Sequence, residues 1–102
     1  LDAKLLGFEY LKDLYATDPD FGEIFNSLLR DTREHYFLSQ GFLYYKDKLC
    51  IPLSSMRPLL VWEAHGGGLM GHFRITKTLS ILQEHFFWPR MKRDVERHIQ
   101  SV

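Results

Sequence analysis

The stretch His35-Tyr36-Phe37-Leu38-Ser39-Gln40-Gly41-Phe42-Leu43-Tyr44-Tyr45-Lys46-Asp47-Lys48-Leu49-Cys50-Ile51-Pro52 decides the fold class of this chain. Three short aromatic or branched runs, His35 to Leu38, Phe42 to Tyr45 and Leu49 to Ile51, are separated by Ser39-Gln40-Gly41 and Lys46-Asp47-Lys48. Runs of this length bounded by turn residues read as strands, and connections this short force neighbouring strands to be antiparallel. Pro52 ends the third run, because proline has no amide hydrogen to give to a ladder. On both sides the apolar residues recur at helical spacing. The expectation is therefore an α+β fold: N-terminal helices, a small antiparallel sheet, then a three-helix bundle.

Upstream, residues 2–15 carry Leu5, Leu6, Phe8, Leu11, Leu14 and Tyr15 in a helix-compatible pattern opened by Asp2 and weakened by Gly7. Asp18-Pro19-Asp20 then starts a second helix. Asp18 can cap it, Pro19 suits the first helical position, and Asp20 and Glu23 face the positive end of the dipole. Its apolar stripe is Phe21, Ile24, Phe25, Leu28 and Leu29.

Downstream, Ser55 can cap a helix with Pro58 in its first turn and with Leu59, Leu60 and Ala64 on the buried side. Glycines between Gly66 and Gly71 break regular structure. A further helix runs from Ile75 to about Phe86, Trp88-Pro89 punctuates it, and a last helix buries Met91, Val95 and Ile99. The chain divides accordingly into a helical extension at residues 1–34, a sheet at 35–53 and a bundle at 54–102.

Composition narrows the function classes. The 102 residues are 45% hydrophobic and 15% aromatic, enough to fill a core and too apolar for a disordered chain. Thirteen basic residues balance thirteen acidic ones, so bulk charge gives no pull toward nucleic acid or anionic membranes. The halves differ: residues 1–51 hold six basic and nine acidic side chains, residues 52–102 seven and four. An anionic partner should meet the second half. The single cysteine, Cys50, cannot close an intramolecular disulfide, which points to a reducing, intracellular compartment. No apolar run is long enough to span a bilayer, so no membrane partner is expected. The start at Leu1, without an initiator methionine, leads us to expect a piece of a longer protein.

Gly66 and Gly71 have the gap of a phosphate-binding loop, but His72 and Phe73 stand where Lys and Ser or Thr are required. His65 and His72 bracket the glycines and can place two nitrogens on one metal ion, or serve as polar helix-end residues; structural zinc needs four ligands. Arg90, Arg93 and Arg97 share one side of the last helix, either as a solvated face with Asp94 and Glu96 pairing locally, or as phosphate contacts. Phe86, Phe87 and Trp88 read as core and hinge rather than as a platform for bases, because they sit at a helix-to-helix turn. No nucleophile–base or paired-carboxylate arrangement stands out, so no catalytic residue is assigned.

Taken together, Gly41-Phe42-Leu43-Tyr44-Tyr45, Leu49-Cys50-Ile51-Pro52, Glu63-Ala64-His65-Gly66, Gly71-His72-Phe73, Lys77-Thr78-Leu79, Phe86-Phe87-Trp88-Pro89 and Met91-Lys92-Arg93-Asp94-Val95-Glu96-Arg97 resemble the N-terminal zinc-binding (HHCC) domain of gypsy-type LTR retrotransposon integrases, plant elements in particular. The resemblance covers residues 41–102, and the helix around Asp18 to Leu29 is similar to the extension that precedes that domain. It implies that His65 and His72 join a later Cys-x-x-Cys pair on structural zinc, and that catalysis belongs to a separate domain. The sequence departs from the pattern at Arg74, where glycine is usual, and at Val102, at or beside the first cysteine position. Hence this chain is expected to hold no cofactor of its own, His65 and His72 being half a site.

The implied function is non-catalytic, with integrase multimerising and gripping element-end DNA, in the nucleus. Weak DNA contact is expected through Arg74, Lys77, Arg90, Lys92, Arg93 and Arg97. Self-association or a protein partner is expected to use Phe21, Phe25, Phe42 and Tyr44. The alternative is a host-recruited, domesticated interaction module that has lost zinc binding.

Overall fold

Tight turns build the sheet where the aromatic runs lie. In the computed structural model, which describes residues 7–66 and 74–100, β1 (Tyr36–Ser39) passes through Gln40 and Gly41 into β2 (Phe42–Tyr45), and Lys46 and Asp47 lead into β3 (Lys48–Cys50). Gln40 and Gly41 both have positive φ, 52° and 86°, as in a type I′ hairpin turn, whose twist suits the flanking strands. The turn sets Tyr36 opposite Tyr45, Phe37 opposite Tyr44 and Leu38 opposite Leu43. Aromatic pairs then form across the strands: Phe37 stacks on Tyr44 at 5.0 Å and Tyr36 lies 4.8 Å from Tyr45.

A fourth strand was not legible in the sequence. Phe86–Phe87 forms β4, parallel to β3, so the sheet order is β1-β2-β3-β4 and the antiparallel hairpins carry one parallel edge. The amides of Leu49 and Ile51 donate to the carbonyls of His85 and Phe87 at 2.9 and 3.1 Å, which gives these β3 groups the partners that burial demands. The preceding helix stops early for this reason. It runs only over Ile75–Gln83, although Phe86 continues its period.

The N-terminal helices are also shorter than their apolar patterns. Glu9–Asp13 and Tyr15–Thr17 are 3-10 turns, and the first α-helix, α1, covers Gly22–Ser27. Leu5 and Leu6 lie outside the described residues. Asp18 caps the turn that leads into α1 and not the helix itself, whose N-cap is Phe21: its Oδ2 accepts the amides of Asp20 and Phe21, both at 2.9 Å. Its Oδ1 also accepts the amide of Leu53 at 2.7 Å, so one carboxylate ties the turn to the chain leaving β3. Leu29, the end of the expected stripe, lies beyond α1 and is exposed.

Three helices complete the fold: α2 (Met56–Gly66), α3 (Ile75–Gln83) and α4 (Met91–Gln100), each packed on the other two. The cap of α2 is Ser54 rather than Ser55, with Oγ accepting the Met56 amide at 3.3 Å. Its buried side is Met56, Arg57, Val61 and His65. Leu59, expected inside, faces out, two residues beyond the inward-turned Arg57 and so on the other side of the helix. Met91 and Val95 of α4 are buried and Ile99 packs against them, as its period requires.

Residues from all three stretches of sequence share one core. Phe8, Leu11, Tyr15 and Phe21 meet Leu43, Leu49, Cys50 and Ile51 of the sheet and Val61, Leu82, Trp88 and Val95 of the helices. The Tyr15 hydroxyl donates to the Cys50 carbonyl at 2.7 Å, anchoring the N-terminal turns on β3. Burial pushes the Tyr15 phenol above its ordinary pKa.

Candidate functional site

Histidine and cysteine positions come first, because the sequence offers them as ligands. His65 is the penultimate residue of α2 and is buried, 6% exposed, with the Trp62 ring 6.2 Å from its own. His72 and Val102 lie outside the described residues. Cys50 sits in β3 with no exposed surface, and burial pushes its thiol well above the ordinary value. A thiol held protonated in a sheet core is a packing residue, not a thiolate ligand. Among the described residues, no three His, Cys, Asp or Glu side chains come together as a metal-holding group. Structural zinc calls for four such donors, so the described residues do not by themselves form that site.

The basic residues separate into two sets. Arg57, 6% exposed, donates from Nε to the Ile51 carbonyl and from Nη2 to Asp20 Oδ2, both at 2.9 Å. Its guanidinium also lies over the Trp88 ring, 5.5 Å from the centroid. Arg90 donates from Nη2 to the other oxygen of Asp20 at 3.0 Å. Asp20 is thereby clamped between α2 and the start of α4. Burial alone would raise its carboxyl pKa, but hydrogen bonds and charge from Arg57 and Arg90 outweigh that and hold it below the usual value. Trp88 closes the joint, its indole N–H donating to Asp94 Oδ2 at 2.8 Å.

Lys92, Arg93 and Arg97 are instead exposed on α4, and Lys77 on α3 and Arg74, the N-cap residue of α3, are exposed as well. Arg93 and Arg97 line a shallow hollow with Glu96 and Gln100. Among the described residues neither arginine has a carboxylate within ion-pairing distance, and Asp94 is taken by Trp88 rather than by a neighbouring arginine. Of the six basic residues expected to meet an anionic partner, Arg90 is thus committed within the chain and five face solvent.

The expected interaction residues are redistributed by packing. Phe21 and Phe42 are core residues, 0% and 5% exposed, and so are not surface anchors. Phe25 stacks on Tyr15 at 5.4 Å and Tyr44 on Phe37, both half-buried. The apolar side chains that do reach solvent include Leu29, Phe37, Leu53, Leu59 and Trp62. Leu59 and Trp62 are one turn apart on α2, a spacing already present in the sequence but outweighed there by the competing period of Leu60 and Ala64.

A small sheet fused to three pairwise-packed helices, with a histidine near the end of the first helix and a basic outer side on the last, defines an α+β domain whose C-terminal part is a three-helix bundle. Residues 52–101 match the family model of the integrase zinc binding domain. This part of the chain, α2 through α4, belongs to that family as an integrase N-terminal HHCC domain. The sheet and the turns before it precede the matched residues yet share their core. No described helix is long and apolar enough to cross a membrane.

Proposed function

We propose that this chain is the non-catalytic N-terminal domain of a retrotransposon-type integrase, whose work is to grip element-end DNA and to help integrase multimerise. The observation that carries the DNA reading is the solvent-facing basic set Arg74, Lys77, Lys92, Arg93 and Arg97, opposite a helix side buried by Met91 and Val95. Exposed guanidinium and ammonium groups that have no ion-pair partner among the described residues suit phosphate oxygens, and such contacts carry little sequence information. The acidic first half keeps affinity low. Fluorescence anisotropy on a labelled duplex should show binding at low salt that falls steeply as salt rises. Arg93→Ala/Arg97→Ala should weaken it several-fold and reduce the salt slope by about 2, one unit per lost phosphate contact. An unchanged affinity and slope would make this side of α4 a solvated surface only.

The multimerisation reading is supported by Leu59 and Trp62, about half exposed on one side of α2, and by a net charge of zero, which removes the repulsion that keeps monomers apart. A second reading, a host-recruited interaction module, is favoured by the same exposed Leu59 and Trp62. In that case the apolar contact persists and DNA binding is absent. The family binds zinc; we infer that this chain's described fold stands without it, because its centre is filled by its own side chains.

A further inference from the structure

The β2–β3 turn and the start of α4 face one another across a groove of about 450 Å³. Its lining includes Lys46, Lys48, Arg90 and Lys92 and contains no carboxylate, in a chain whose acids and bases balance overall. Arg90 is held by Asp20 at 3.0 Å, a carboxylate that it shares with Arg57. Lys48 gives one hydrogen bond to the Glu84 carbonyl at 3.0 Å and pairs with Asp47 Oδ1 at 3.5 Å, whereas Lys46 lies 5.5 Å over the Tyr45 ring and Lys92 is exposed, so among the described residues Lys46 and Lys92 carry the groove's uncommitted charge. The aromatic side of the groove is Tyr45 and Phe87, with ring centroids 4.4 Å apart. Both belong to the sheet, since Phe87 is in β4, and both are half-buried. An aromatic sheet face beside a line of cations is how proteins hold single strands, with phosphates on the cations and bases stacked on the rings. The volume falls in the range of small-ligand clefts, about 300–1,000 Å³, which accommodates a few nucleotides of one strand and not the width of a duplex.

We propose that this groove binds a short stretch of single-stranded nucleic acid, its phosphates on Lys46, Lys48 and Lys92 and a base laid on Tyr45. The inference rests on the DNA-binding reading above but puts the strand between hairpin and helix, and two of its contacts, Lys46 in the β2–β3 turn and Lys48 in β3, lie outside the family match. Anisotropy should be measured on a short labelled oligothymidylate and on a duplex of equal length. The wild type should bind the single strand more tightly. Lys46→Glu/Lys92→Glu should weaken single-strand binding by about tenfold or more and lower the salt slope by roughly 1.4, two contacts at about 0.7 each. The charge-matched control Arg30→Glu/Arg33→Glu, two exposed positions outside the groove, should change it far less. Tyr45→Leu, checked for folding by its thermal transition, should reduce the preference for single strand over duplex. If Lys46→Glu/Lys92→Glu leaves single-strand affinity intact, or if duplex is preferred, the groove is overturned while the DNA reading stands. If neither oligonucleotide binds at low salt, both are overturned.

Discussion

Two pairs of arginines in the C-terminal half meet opposite fates. Arg57 and Arg90 converge on Asp20 and fasten the N-terminal turns to α2 and α4. Arg93 and Arg97 stand one and two turns along α4 and reach solvent. The chemistry of the side chains is identical, so surroundings decide: a carboxylate waits for the first pair, and among the described residues none stands within ion-pairing distance of the second. The difference also bears on how the chain is organised. Asp20 precedes the family match and both its arginines lie within residues 52–101, so the joint welds the preceding segment to the integrase domain.

The largest effect should come from breaking the joint. Asp20→Ala leaves the Arg57 guanidinium, 6% exposed, with an uncompensated charge, which costs about 3 kcal/mol, the lower end for buried pairs because the Ile51 carbonyl and the Trp88 ring remain. Urea denaturation would measure it, and a loss well below 1 kcal/mol would mean that the arginines find other partners.

Acid should open the same joint more gradually. The Asp20 carboxyl is held below its usual value in the folded chain, so its stabilisation is fully present above the unfolded pKa, about 3.9. It is lost as pH falls through the lower folded value. Between about pH 5 and the acid end of that window, the melting temperature of the wild type should fall more steeply than that of Asp20→Asn. Parallel curves would show that the ion pair contributes nothing net.

A smaller effect on stability, within about 1 kcal/mol, is expected for Leu59→Ser/Trp62→Ser, because both residues are about half exposed. Its signature is assembly: light scattering at micromolar concentration should show wild-type multimers and a variant shifted toward the monomer. A monomeric wild type would remove the apolar side of α2 as a homotypic contact.

Least of all should change on chelation. Metal chelators should leave the thermal transition where it was, and a one-to-one zinc content with unfolding on chelation would contradict the inference that the core stands alone. For the exposed pair, Arg93→Ala/Arg97→Ala should stay within about 0.5 kcal/mol of wild-type stability, in contrast to Asp20→Ala.

The sequence by itself determined what rests on local chemistry. Gln40-Gly41 and Lys46-Asp47 between aromatic runs specified the hairpins, the spacing of Met91, Val95 and Ile99 specified which side of α4 is buried, and Asp18 before Pro19 specified a capped turn. The motifs from Glu63 to Arg97 pointed to the family that residues 52–101 match. Tertiary structure alone decided the rest, because it depended on partners distant along the chain. Phe86 and Phe87 carried the period of a helix until the open edge of β3 claimed them as a strand. Asp20 looked like a dipole-facing acid until Arg57, 37 residues away, and Arg90, 70 residues away, took both its oxygens. Lys46, Lys48 and Lys92 became one groove only when the hairpin packed beside α4. Period and propensity are summed over neighbours in sequence, whereas a buried charge or an open strand edge is satisfied by whatever the fold brings to it.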